Sequence, residues 1–213
     1  HQLVDPKVPV ASLCVHPVQT LLQYPTFANP GIPLPQDIYG EKRRNSRGVN
    51  LNVRSHYDPL MQAMAGFMEH TYTVGPLLAF EVAPDPANTH EVFSPYDRRQ
   101  RVGSVQWTSR DQAARAVDAA WKAFPRWEAT PVAERAAIIR RLGDLMEENM
   151  AELMTLCSRE GGKLLTDGVD EIREAVDFCR YYAMRAEEQF GQPITLPGPT
   201  GESNELTLNG KGV

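Results

Sequence analysis

The sequence has little of what usually announces chemistry. Three cysteines in 213 residues, Cys14, Cys157 and Cys179, lie far apart and form no CxxC pair. That spacing excludes a disulfide framework and a thiol-rich zinc site, and it suits a reducing cytoplasm. The five histidines, His1, His16, His56, His70 and His90, stand singly, with no HxxxH and no carboxylate at metal-ligand spacing, so no metal centre is expected. No GxGxxG follows a strand pattern, and neither GxxxxGK[ST] nor GxSxG occurs. A phosphate-cradling loop and a serine nucleophile elbow are therefore not encoded, since Gly161-Gly162-Lys163 is too short and falls at a helix end. No apolar run reaches the roughly 18 residues of a membrane span, and the first residues lack the pattern of a leader. Charge of one sign is not in large excess: 22 Lys/Arg against 27 Asp/Glu give −5. That balance offers no electrostatic reason to bind nucleic acid or an anionic membrane.

What is present is ordinary globular material, 42% apolar and 23% charged, divided unevenly. Of 17 prolines, seven fall within residues 1–35 and twelve within 1–95. Residues 1–75 carry six Lys/Arg and five Asp/Glu, net +1, and the remainder carries sixteen and twenty-two, net −6. A proline-punctuated first part thus precedes a helix-forming second part. In residues 1–50, Asp5-Pro6, His16-Pro17, Tyr24-Pro25, Asn29-Pro30-Gly31 and Ile32-Pro33-Leu34-Pro35 each push the preceding residue towards extended conformations. One short helix at most, around Val18 to Gln23, is expected in an otherwise extended segment. The stretch Lys42 to Arg47 reads as a solvated linker, with an anion-binding patch as the alternative. The chain lacks an initiator Met, and Asn209 to Val213 reads as a turn entering a strand, so both ends are expected to be cuts in a longer polypeptide.

Periodicity then predicts the elements. Leu60, Met61, Met64, Phe67 and Met68 place an amphipathic helix over Tyr57 to Glu69, and Thr89 to Thr108 alternates as a pair of short strands around Ser94 to Asp97. Three longer helices follow. The first is capped by Ser109, buries Ala113, Val117, Ala120/Trp121 and Phe124, and ends at Pro125. The second is capped by Thr130 with Pro131 at its first position, and it runs about six turns through Ala136, Ile139, Leu142, Met146, Met150, Leu153 and Cys157 to Gly161-Gly162. The third spans Asp167 to Phe190 on the seam Val169, Ile172, Val176, Cys179, Ala183, Ala186 and Phe190. Cys157 and Cys179 on these stripes read as small buried hydrophobes rather than nucleophiles. Ile194 to Leu196 and Glu205 to Leu208 read as a hairpin, which needs a sheet or a partner to be stable.

One constellation stands out on the third helix. Asp170, Glu174 and Asp177, spaced four and three residues apart, lie opposite the apolar seam, where like charges repel by a few tenths of a kcal/mol. Either this is a solvated face partly neutralised by Arg173 and Arg180, or another part of the protein meets it and one carboxylate enters a polar site.

Thr130 to Ile139, Arg159-Glu160-Gly161-Gly162-Lys163, Glu171 to Phe178 and Arg180-Tyr181-Tyr182-Ala183 resemble the first helices of the aldehyde dehydrogenase superfamily. With Pro199 to Gly210, they are most similar to the glutamate-semialdehyde (pyrroline-5-carboxylate) dehydrogenase module of the proline utilization A family. Ile32 to Gly40 followed by Asn45-Ser46-Arg47-Gly48 resembles the linker that joins this module to a proline dehydrogenase barrel in those bifunctional proteins. Gly161 departs from the pattern, which usually has Ala there. The resemblance implies an α/β fold: an incomplete aldehyde dehydrogenase-like module of three long amphipathic helices, short strands and a C-terminal hairpin behind an extended Pro-rich linker. It divides the chain into linker 1–48, the helical start of an NAD-binding domain 49–192, and the start of an oligomerisation hairpin 193–213. It implies a cytoplasmic parent, peripheral at the inner membrane face in one variant, that oxidises proline with FAD and then L-glutamate γ-semialdehyde to glutamate with NAD. The barrel and its FAD contacts would precede His1, and the dinucleotide motifs, catalytic Cys and general base would follow Val213. No catalytic, cofactor-binding or metal-binding residue is then expected in this chain, which alone would be inactive and bind neither NAD nor FAD. Glu174 is the single site residue implied, bordering the aldehyde-substrate pocket. Expected partners are the rest of the parent polypeptide, the semialdehyde and, through 193–213, further copies of the chain, but not nucleic acid. Two alternatives stay open at this point: a non-catalytic helical scaffold derived from the module, and a fragment of a monofunctional semialdehyde dehydrogenase.

Overall fold

The computed structural model describes residues 4–27, 29 and 31–213. His1 and Pro30, named above, lie outside them. The chain forms two compact units, His1–Leu34 and Pro35–Val213. The first contains two short helices, α1 (Val10–Leu13) and α2 (Pro17–Leu21), where the proline spacing allowed only one. Pro9 immediately precedes α1, and Pro17 takes the first position of α2, both sites where a missing N–H costs no helix bond. His16 caps α2 by accepting the Val18 N–H at its Nδ1.

The second unit starts with two single-turn 3₁₀ helices, Pro35–Asp37 and Gly40–Lys42, followed by α3 (Arg54–Ala65). Strand β1 (Tyr72–Val74), which period-2 reading missed because it is three residues long, pairs parallel with β3 (Arg101–Gln106). β2 (Thr89–Phe93) pairs antiparallel with β3, from Thr89 opposite Gln106 to Phe93 opposite Arg101. The sheet order is β1-β3-β2, and the turn predicted at Ser94 to Asp97 lies within the connection between Phe93 and Arg101.

α4 (Arg110–Ala129) opens on a complete capping box between Ser109 and Gln112. It does not end at Pro125, which lies inside it. Its expected buried stripe is also largely uncovered, with Val117 51% and Trp121 50% exposed. The tail touches it, the Gly210 N–H donating to Glu128 at 2.7 Å and Gly212 crossing so close to the Trp121 ring that no Cβ would fit, and the Arg115 guanidinium lies 3.9 Å over the Phe80 ring. The single six-turn helix expected after Thr130 is two helices, α5 (Val132–Glu148) and α6 (Met150–Gly161), broken at Asn149. Asn149 leaves helical geometry and folds its own amide back onto the Leu145 carbonyl (2.8 Å), satisfying the backbone where the axis turns. Thr130 caps the end of α4 rather than the start of α5, and its hydroxyl donates to the Arg126 carbonyl. Gly162 stops α6 with φ +67°, as its sequence position predicted. α7 (Leu165–Phe190) is followed by a separate two-stranded sheet, β4 (Ile194–Leu196) with β5 (Asn204–Leu206).

The core lies where α3, α6, α7 and residues 49–51 meet: Met64, Met154, Val169, Ile172 and Val176 are buried, with Val49, Leu51 and Leu60 against them. α5 lies along α7, and Gly143 permits the approach, since a Cβ there would come within 3.1 Å of Cys179. Arg159, 3% exposed, ties α6 to its surroundings by donating to the carbonyls of Phe67, His70 and Arg101. Mixed helices and short strands, with most apolar helix surface on α4 left open, give a partial α/β module.

Candidate functional site

The 3.6-residue period of α7 sends the seam Val169, Ile172, Val176 and Ala183 inwards and leaves Asp170, Glu174 and Asp177 on other faces. These three carboxylates have different surroundings. Asp177 is half-buried and held by the strap formed by residues 43–47: its carboxylate accepts the Ser46 N–H at 2.7 Å and the Ser46 hydroxyl at 2.8 Å. Arg43 donates to the Asp177 carbonyl at 3.2 Å, with its guanidinium 4.1 Å above the Tyr39 ring and 5.5 Å from that of Tyr181. Glu174 and Asp170 are exposed and make no hydrogen bond or ion pair among the described residues. Another part of the chain does meet this face, but the carboxylate it engages is Asp177.

The arginines were also misassigned by the sequence. Arg180 is 8% exposed and does not neutralise the acidic face. It reaches under the strap to Asp144 (2.8 Å) and Glu147 (3.0 Å) on α5 and donates to the Asn45 carbonyl at 3.1 Å. Glu147 accepts the Arg47 N–H at 2.6 Å as well. Burial alone would raise the Glu147 carboxyl, but the Arg47 N–H, the Arg180 guanidinium and their charges outweigh it and hold the group below its ordinary value. Lys42 to Arg47 is therefore not simply solvated: Asn45 and Ser46 are buried at 7% and 1% exposure. A sequence signal existed, because Val176, Arg180 and Ala183 are spaced four and three apart, putting Arg180 on the edge of the seam where a charge needs partners.

Along the outer face of α7, Glu174 is followed by Phe178 and Tyr181 at spacings of four and three, with Tyr182 beside them. Phe178 and Tyr182 rings lie 5.8 Å apart and Tyr181 and Tyr182 5.2 Å apart. An unpaired carboxylate at the end of an aromatic wall can hold a cationic group while the rings exclude water beside it. Cys157 and Cys179 are half-buried on α6 and α7, and desolvation pushes both thiols above their ordinary value, which lowers the thiolate fraction. Cys14 is exposed on the first unit.

A dinucleotide would need a strand running into a glycine-rich turn and a helix N-terminus. β3 reaches α4 through Trp107-Thr108-Ser109, and Gly161-Gly162 ends a helix, so the described residues do not fit NAD. No group of metal-ligating side chains occurs among the described residues, and none of their helices is long and apolar enough to cross a membrane.

Residues 82–213 match the aldehyde dehydrogenase family. Bifunctional protein PutA of Escherichia coli K12 is 34% identical over 198 residues, covering 92% of this chain and 14% of that protein. 1-Pyrroline-5-carboxylate dehydrogenase 2 of Bacillus subtilis is 33% identical over 122 residues, 57% of this chain and 23% of its own length. The crystal structure of a point mutant of Bradyrhizobium japonicum proline utilization A superposes with a TM-score of 0.70 at 35% identity, covering 99% of this chain and 18% of that one. The chain thus spans less than a fifth of the length of these two proline utilization A relatives. With its family match extending from β2 to the C-terminal hairpin, the chain belongs to the aldehyde dehydrogenase family.

Proposed function

We propose that the chain is the linker and opening section of a bifunctional proline-catabolic oxidoreductase, and that its dehydrogenase half oxidises L-glutamate γ-semialdehyde to glutamate with NAD after an FAD-dependent half has oxidised proline. The supporting observation is coverage. The bifunctional relative matches 92% of the chain, including residues before 82, whereas the single-activity relative from Bacillus subtilis matches 57%. That difference favours the bifunctional reading over a monofunctional fragment. NAD and FAD supply the hydride and electron acceptors in such a parent, and their sites belong to parts other than this chain. Glu174 here contributes the carboxylate that faces the amino end of the semialdehyde, with Phe178 beside it.

In the longer protein, Glu174→Ala should raise KM for the semialdehyde by roughly tenfold, the loss of one charge-assisted contact, and leave KM for NAD unchanged. Equal changes in both constants would remove Glu174 from the substrate site. The 213-residue chain should reduce no NAD with semialdehyde present, and turnover above background would overturn the fragment reading. We also assign β4–β5, exposed at every residue but the half-buried Asn204, to association with a second copy by strand addition. Sedimentation of the chain over a dilution series should then show a concentration-dependent mass. A constant monomer mass would reject that role.

A further inference from the structure

A cleft of about 440 Å³ lies between residues 48–52, α3 and the start of α7, within the size range of small-molecule sites, about 300–1,000 Å³. Val49, Leu51, Val169 and Pro35 line it with apolar surface, while Asp170, Arg173 and His56 bring charge and hydrogen-bonding capacity to its walls. These polar groups differ from Asp177 and Arg180 further along α7 and from Glu147 on α5. Asp177, Arg180 and Glu147 are saturated, but Asp170 has no partner among the described residues. Arg173 donates only through Nε, to the Ser46 hydroxyl at 3.3 Å, leaving both terminal nitrogens free. His56 accepts the Asn50 N–H at Nδ1, so its Nε2 hydrogen is available.

Asp170 and Arg173 are three residues apart on one helix, a spacing at which opposite charges usually close on each other. Here they form no ion pair within 4.0 Å, because Ser46, itself held by Asp177, draws Arg173 towards the strap. The result is a carboxylate and a guanidinium fork roughly 5–6 Å apart at their bases, facing one cleft and kept from neutralising each other. From this geometry we infer that the cleft is a binding site for a small α-amino acid zwitterion. Asp170 takes the ammonium, Arg173 takes the carboxylate through its free fork, and an apolar side chain rests on Val49, Leu51 and Val169. This site is separate from the dehydrogenase reading and does not depend on it.

The test is a titration of the isotope-labelled 213-residue chain followed by amide NMR, with L-valine as the probe. L-valine at millimolar concentration should shift resonances of residues 48–56 and 166–173. Valinamide, which lacks the carboxylate, and N-acetyl-L-valine, which lacks the ammonium, should each bind roughly tenfold more weakly. Glycine, which lacks the side chain, should lose a similar factor. Asp170→Asn, at an exposed position that leaves the fold intact, should bind L-valine no better than N-acetyl-L-valine, and Arg173→Gln should erase the preference over valinamide. Unmoved cleft resonances with L-valine, equal affinity for all four probes, or an Asp170→Asn chain that binds as the parent does would each overturn the inference.

Discussion

A guanidinium at 8% exposure must have its charge answered nearby, and Arg180 has two carboxylates and one carbonyl to do it. Glu147 is the better buried of the two, its side chain 14% exposed against 48% for Asp144. Arg180→Ala would leave Glu147 in place without its main cation, and removing one member of such a pair costs about 3–5 kcal/mol. Urea unfolding at neutral pH should show that loss. Because the Glu147 carboxyl is held below its ordinary value of 4.5, its contribution to stability is fully present above that value and is lost as pH falls through the lower, folded-state range. The parent chain should therefore lose stability steeply below about pH 4.5, and Glu147→Gln should flatten that part of the curve while lowering the plateau. An unchanged acid limb in the Gln variant would show that Glu147 does not carry the linkage.

At the scale of elements, α4 poses the clearest question. Pro125 has no N–H for the Trp121 carbonyl, yet five residues from Pro125 to Ala129 continue the helix. Substituting Ala should stabilise the chain by about 1–3 kcal/mol in thermal unfolding, because proline is about 3 kcal/mol worse than alanine inside a helix. A helix that stopped at Phe124 would gain nothing, so a neutral result would place its end there. This residue also shows where sequence reading failed. Proline chemistry is local and states a cost, but it does not show whether neighbouring packing absorbs it. The Asn149 break failed for the opposite reason, since the apolar stripe from Ala136 to Cys157 passes through it without a gap. Capping at Ser109, the stop at Gly162 and the seam of α7 were legible because each depends on residues within one or two turns. The strap partners of Asp177 and Arg180, Ser46 and Asn45, are more than 130 residues away, and the carboxylates that Arg180 meets on α5 are 33 and 36 residues away; no spacing rule reaches that far. The proposed role of Glu174 rests on family resemblance, and the unpaired Asp170 and the open fork of Arg173 became visible only once Ser46 was placed between strap and helix.

For the molecule as a whole, the chain divides into compact units between Leu34 and Pro35, whereas the family resemblance sets the linker at residues 1–48. Residues 35–48 belong to the second unit by their hydrogen bonds: Gln36 accepts the Asn45 N–H at 2.8 Å, and Ser46, Arg43 and Asn45 bind α7. Two truncations separate these assignments. A chain starting at Pro35 should unfold cooperatively, with a stability within about 0.5 kcal/mol of the parent, as expected when the removed part forms its own unit. A chain starting at Val49 keeps every residue of the hydrophobic core but removes the two bonds to the Asp177 carboxylate, the Arg43 bond to the Asp177 carbonyl, one from Arg180 and one to Glu147. Water then replaces those partners, so the loss is smaller than the sum of five charge-assisted bonds and should come to about 3 kcal/mol. It should also free Arg173 to close on Asp170, since Ser46 no longer holds it, and so weaken L-valine binding in the cleft. Two truncations of equal stability would return residues 35–48 to the linker, and the strap would then be a passive tether. Unequal stability with unchanged L-valine affinity would keep the strap as a structural clasp but remove Ser46 from the preparation of the cleft.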